Sequence, residues 1–245
     1  MEHLVGLVLL AGELLLTCGA EMYRVEETIE RMGMAAGFVQ VEGFATPTGL
    51  FISLHAPNGK VYTRVRRIRH THNNLATISA VNALSRSFSS GQMTVEQVQN
   101  ELERLQKQGA PDSFKRQLIG GGGALAFAMM SGGSLLEGII AGVVGTIVLM
   151  VLSKLEGHFP EVLQAAIGSV VAAGLVSLVS RYLDFHTNVT ILGSVMVMAP
   201  GVVMTTAIRD LLGGELLSGL SRSGEALAIS VAIATGVAVV LSLGG

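Results

Sequence analysis

The sequence predicts an α-helical integral membrane protein with five transmembrane helices and an N-terminal cytoplasmic α+β domain. Three observations carry this reading. Half of the 245 residues are hydrophobic, only 14% are charged, and the mean hydropathy is +0.58; soluble domains carry about 25% charged residues. The charge is unevenly spread, because 12 of the 16 Lys and Arg residues lie at or before Arg116. Beyond that point, five apolar segments follow one another. The net charge of −2 therefore averages a polar first part, residues 1–114, and an apolar second part, residues 115–245.

The first part alternates in period. Leu4–Cys18 and Glu21–Ala36 read as helices parted near Gly19, with Gly37 placed as a C′ residue. The N-terminal apolar run resembles a signal peptide with a lipoprotein-type Leu-Leu-Thr-Cys end. It lacks a basic n-region and is interrupted by Glu13, so it is read as a helix of the cytoplasmic domain. "FVQVEGFATP", "TGLFISLHAP" and "KVYTRVRRI" read as three strands, with Asn58-Gly59 turning between the last two. Helices follow over about 73–88 and from Thr94 to about Lys107, where Thr94 and Gln97 have capping-box spacing. "QGAPDS" at 108–113 is a linker. The predicted order is α-α-β-β-β-α-α.

The second part offers apolar segments near 118–133, 136–153, 162–180, 189–208 and 226–244. Each approaches the roughly 20 helical residues that a bilayer core about 30 Å thick requires. Gly138 and Gly142 have GxxxG spacing, suited to a close helix neighbour. The Gly120–Gly123 run lacks the Lys-Ser/Thr of a phosphate loop and is read as close packing. With the N-terminus inside, 15 of the 16 basic residues fall on the cytoplasmic side and only Arg181 outside. The C-terminus then lies outside, and the setting is a plasma (inner) membrane of a prokaryote.

The densest functional signal is "MVMAPGVVMTTAIRDLLGGE", 196–215. Pro200 cannot donate to the carbonyl of Met196, so the helix breaks there, and Gly201 leaves the backbone unshielded. A half-helix restarting here aims free amides inward, a geometry suited to a carboxylate. Thr205 and Thr206 lie one turn on. Arg209 shares a face with Thr205, and Asp210 shares one with Thr206. Pro200, Gly201, Thr205 and Thr206 are thus the substrate-binding candidates. Arg209 and Asp210, read as a neighbouring ion pair, are candidates for a gate or coupling group, together with Arg222 and Glu225. The plainer alternative is that Arg209 marks the interface and Asp210 is a solvated neighbour. Glu137, Asp184 and His186 are placed in outer loops, and Glu156, His158 and Glu161 in an inner one, all solvated.

Other chemistry is poorly supported. Lone Cys18 excludes an internal disulfide, and His70 and His72 lack further metal ligands, so no metal and no cofactor is expected. Arg64, Arg66, Arg67 and Arg69 suit lipid headgroups or an acidic partner surface. Acidic residues balance the basic ones in the first part, which argues against nucleic acid. There is no G-x-S-x-G, no H-E-x-x-H and no nucleotide loop, so no enzyme is expected.

"CGAEMYRVEETIERMG", "TPTGLFISL", "TRVRRI", "NALSR" and "APGVVMTTAIRDLLGGELLSGLSRSGEALAISVAIATG" together resemble the threonine/serine exporter family over nearly the whole chain. The resemblance implies a cytoplasmic domain followed by membrane helices, in single chains of ten spans or in pairs of a longer five-span subunit and a small partner. This chain resembles the longer subunit of the split form, which implies a small integral-membrane partner and is compatible with a higher oligomer. The implied activity is export of threonine or serine, or of a C4-dicarboxylate such as succinate. The family's motif falls on Pro200, Gly201, Arg209, Asp210, Gly219, Arg222, Glu225 and Ala226; where its pattern often has Asn, this chain has Thr206. The expectation is a gradient-driven secondary transporter subunit for a small polar carboxylate. The alternative is a membrane-anchored sensor or scaffold whose soluble domain binds a ligand or protein; a homo-oligomeric channel is a third.

Overall fold

The computed structural model describes residues 1–69, 71–107 and 113–244. The linker expected at 108–113 and the candidate ligand His70 fall, apart from Ser113, outside the described residues. In chain order the elements are α1 (Glu2–Thr17), α2 (Met22–Ala35), β1 (Gln40–Thr46), β2 (Gly49–His55), β3 (Val61–Arg67), α3 (Leu75–Ser89), α4 (Val95–Lys107), α5 (Ser113–Met130), α6 (Leu135–Leu155), α7 (Glu161–Val179), α8 (Thr187–Val195), a 3-10 turn Met196–Met198, α9 (Gly201–Leu212) and α10 (Leu216–Gly244). The chain divides into two compact units, Met1–Gly109 with Val202–Ser223, and Ala110–Gly201 with Gly224–Gly245.

In the first unit, α1 is apolar almost all round and lies inside the core, with Leu7, Val8, Ala11 and Leu15 fully buried. A helix without a polar face has no solvent side to present. Gly19 ends it at φ +81°, a left-handed backbone that glycine adopts without a Cβ clash. The strands form an antiparallel meander in the order β1-β2-β3, with Gln40 opposite His55 and Gly49 opposite Arg67. Leu50, Ile52 and Leu54 alternate along β2 into the core. Glycines let the helices approach this face: a Cβ on Gly33 would lie 2.6 Å from Val41 Cγ2, and one on Gly12 2.7 Å from Leu50 Cδ2. Arg64 and Arg66 of β3 fold back onto α1, reaching Glu2 at 3.3 Å and Glu13 at 3.1 Å. Two of the four arginines considered for lipid headgroups are therefore satisfied within the unit.

The second unit packs by small residues. A Cβ on Gly121 of α5 would overlap Thr146 Oγ1 and come within 2.7 Å of the Gly142 carbonyl of α6. Gly120 and Gly121 of the glycine run and both members of the GxxxG pair thus serve close helix contact, whereas Gly122 and Gly123 have nothing within 4 Å. Among the described residues, α6, α7 and α10 are long and apolar enough to cross a membrane. The pair of α8 with its 3-10 turn and α9 counts as a fourth, either as a broken span or as a re-entrant loop. In α5 the apolar stretch begins only at Leu118, after Lys115-Arg116, and at 1.5 Å per residue it covers about 20 Å. α10 starts at Leu216, ten residues before the expected fifth span, because only Gly213, Gly214 (φ +90°) and Glu215 part it from α9.

One expectation is corrected in this unit. Glu137 is not solvated. It is 3% exposed, its carboxylate accepts from Ser134 N at the start of α6, and Oε1 lies 2.8 Å from His186 N and 2.7 Å from His186 Nδ1. The spacing Ser134-x-x-Glu137 is a capping box, so the acid serves two helix starts.

Candidate functional site

The apolar segment around Pro200 breaks where proline chemistry requires. The 3-10 turn ends at Ala199, which has extended backbone (φ −59°, ψ 130°), and α9 opens at Gly201. The Gly201 amide donates to the Ala199 carbonyl at 2.8 Å, and like any α-helix α9 has no intrahelical acceptors for its first N–H groups. The Thr205 and Thr206 hydroxyls both donate to the Val202 carbonyl, at 2.9 and 2.8 Å. They brace the first turn in this conformation.

One turn further, α9 divides its chemistry between two faces. Thr206 and Asp210 are buried and Thr205 and Arg209 exposed, as i, i+4 spacing demands. Arg209 and Asp210 are therefore not an ion pair with each other. Adjacent helical residues point about 100° apart, and each takes a different partner. Arg209 Nη1 donates to Glu21 Oε1 at 2.8 Å. Asp210, with no exposed surface, accepts from Met22 N through Oδ1 at 3.2 Å. Its Oδ2 has no hydrogen-bond partner among the described residues and lies 3.6 Å from Arg222 Nε, close enough for charge pairing and too long for a hydrogen bond. Arg222 Nη2 in turn donates to the Ala20 carbonyl at 2.9 Å.

Three consecutive residues at the start of α2 are thus gripped by α9 and α10, all within the first unit. Glu21 is not among the candidates read from the sequence, and its acidic neighbours along α2 take other partners. Glu26 accepts from Ala45 N, and Glu27 pairs with Arg31. The available signal was an acidic residue directly before a helix, next to an arginine at i+3. Burial of Glu21 favours its neutral form, but hydrogen bonds from Arg24, its own backbone N–H and Arg209 outweigh this and lower its pKa to about 2. The carboxylate is charged at any physiological pH. Nearby Cys18 is buried, which pushes its thiol up despite a hydrogen bond with Thr77.

Of the other predicted residues, Pro200, Gly201 and Glu225 belong to the second unit. Glu225 is exposed there, within Coulombic reach of Glu161. Among the described residues, no cluster of three or more His, Cys, Asp or Glu could hold a metal ion.

Residues 6–244 match the family described as "Putative threonine/serine exporter". The chain belongs to the threonine/serine exporter family. The family is one of transporters and not of enzymes. A curated relative, the "Probable threonine/serine exporter" of Mycobacterium tuberculosis (strain ATCC 25618 / H37Rv), is 23% identical over 252 residues, covering 98% of this chain and 46% of the relative. The chain therefore spans about half the length of that relative. No solved structure matches the chain.

Proposed function

We propose that this protein is one part of a gradient-driven secondary exporter for a small polar carboxylate, either a threonine/serine-type amino acid or a C4-dicarboxylate such as succinate. The observation that carries the reading is the helix restart at Gly201 inside a membrane-grade segment. A half-helix N-terminus presents amides that lack intrahelical acceptors, and a positive dipole end, to an anion. In this reading Pro200 and Gly201 open the binding turn, and Thr205 and Thr206 turn their hydroxyls from Val202 to the substrate. Arg209, Asp210 and Arg222 form the gate or coupling cluster, with Glu225 at the same end of α10.

The proposal extends to organisation. Residues 1–114 form a cytoplasmic domain. The remainder crosses an inner membrane five times, α5 being the first span with Lys115-Arg116 at the inner surface, and the C-terminus lies outside. A small membrane partner supplies the remaining spans, in keeping with a relative of about twice this length, and the complex can form a higher oligomer.

Efflux of threonine, serine and succinate from cells expressing the chain with its partner tests the activity. An Arg209→Gln variant that reaches the membrane folded should lose efflux, and normal efflux would remove Arg209 from the gate. Full-rate transport by the purified chain alone in vesicles would refute the need for a partner.

A further inference from the structure

Glu21 is placed with unusual definition. The Ala20 carbonyl is held by Arg222 at 2.9 Å, and the Met22 amide is held by Asp210 at 3.2 Å. The backbone is thus pinned on both sides of Glu21, and its side chain is presented to Arg209. The pinning groups lie deep, with side chains 0% exposed for Asp210 and 10% for Arg222, whereas the Arg209 side chain is 65% exposed. A guanidinium carries five N–H donors in a planar fork that suits a carboxylate on two parallel bonds. Glu21 Oε1 engages it through Nη1.

The two partners are not equally dependent on each other. Glu21 Oε2 also accepts from Arg24 Nε at 2.8 Å, so its charge stays paired if Arg209 leaves. The ion pair recorded for Arg209 is with Glu21. An incoming carboxylate can therefore take Arg209 without stranding a charge on the protein.

We infer that Arg209 is a carboxylate-binding residue and that Glu21 is its resident stand-in, displaced when a ligand carboxylate binds while Arg24 retains Glu21. The exchange stands on this geometry; which carboxylate arrives, amino acid or dicarboxylate, rests on the exporter reading. The arrangement gives opposite signs for two variants. Glu21→Gln removes the competing charge and should tighten carboxylate binding. Arg24→Gln leaves Glu21 dependent on Arg209 and should weaken it. An exposed ion pair converts to roughly a two- to five-fold change in Kd in each direction. A purely structural Glu21 would move both variants the same way.

The test is calorimetric titration of the full chain in lipid nanodiscs with L-serine, L-threonine, succinate and acetate. L-serine methyl ester, which keeps the ammonium and lacks the carboxylate, is the control. Expected are a lower Kd for Glu21→Gln, a higher one for Arg24→Gln, the highest for Arg209→Gln and no binding of the ester. Weaker or unchanged binding by Glu21→Gln, or no carboxylate bound by wild type or by Glu21→Gln, overturns the stand-in. Efflux in cells separates the two ideas. Binding with the expected signs but no efflux refutes the exporter reading alone, and normal efflux with unmoved Kd values refutes the stand-in alone.

Discussion

Replacing Asp210 by Ala should open the corner between α1 and α2. The change removes a carboxylate with no exposed surface, takes away the negative charge 3.6 Å from buried Arg222, and frees the Met22 amide. Breaking a buried pair by deleting one partner costs about 3–5 kcal/mol. Arg222 keeps its bond to the Ala20 carbonyl, and its contact with Asp210 is longer than a hydrogen bond, so the lower end, about 3 kcal/mol, is expected. Cys18, the one cysteine of the chain, is 3% exposed and two residues from Ala20, which makes its alkylation a reporter of local opening. At about 1.4 kcal/mol per decade, Asp210→Ala should label roughly 100-fold faster than wild type. Asp210→Asn, whose amide oxygen still accepts from Met22, should fall between them. Adding Arg222→Met to Asp210→Ala should bring the rate back down, because an apolar pair leaves no buried charge unpaired. Labelling within about three-fold of wild type in both the single and the double variant would refute the clamp.

Three further outcomes follow from other parts of the molecule. Pro200→Ala restores a donor to the break, and Ala is favoured over Pro by about 3 kcal/mol in a helix interior; efflux should fall at least about ten-fold while the protein remains folded, and unchanged efflux would disconnect the break from transport. Gly121→Ala should destabilise α5 against α6 by about 1–3 kcal/mol, since its Cβ meets Thr146 and the Gly142 carbonyl, whereas Gly122→Ala, with nothing within 4 Å, should not; melting temperatures in detergent compare the two directly. Glu21 has its pKa lowered from 4.5 to about 2, so its contribution to stability is present above pH 4.5 and is lost as pH falls toward 2. Thermal unfolding of the full chain between pH 5 and pH 3 should show that loss, and Glu21→Gln should flatten it.

Local chemistry was readable in the sequence and distant pairing was not. Asn58-Gly59 turns with Gly59 at φ +81°. The Thr94–Gln97 box closes reciprocally, with Thr94 N donating to Gln97 Oε1 at 2.9 Å and Gln97 N donating to Thr94 Oγ1 at 3.3 Å. These features depend on residues three or fewer apart. The Glu21–Arg209 contact joins residues 188 positions apart, and no periodicity records it. The start of α10, ten residues ahead of the apolar segment at 226–244, has a related cause. Ser218, Arg222 and Glu225 look like loop chemistry when hydropathy is the guide, but hydropathy reports suitability for lipid, whereas helix formation needs only tolerated backbone angles and satisfied amides. Glu137 shows the converse, since its capping box was present in the sequence and passed over in favour of a solvated loop.

The charges at 209 and 210 first looked out of place beside a membrane-grade run, and their partners explain why they are there. The stretches that carry the family resemblance at the two ends of the chain, "CGAEM" and "AIRDLL…SR", meet at one corner of one compact unit. A pattern that reads as two separate motifs is a single constellation of backbone and side-chain bonds. Its inner layer, Asp210 and Arg222, is inaccessible and fixes geometry; its outer pair, Glu21 and Arg209, is reachable and can exchange partners. Desolvated charge resists rearrangement because each buried ion needs its mate, whereas an exposed ion pair contributes little and yields readily. The division of labour within this corner therefore follows from depth alone, and it places any ligand exchange at Arg209 rather than at Asp210.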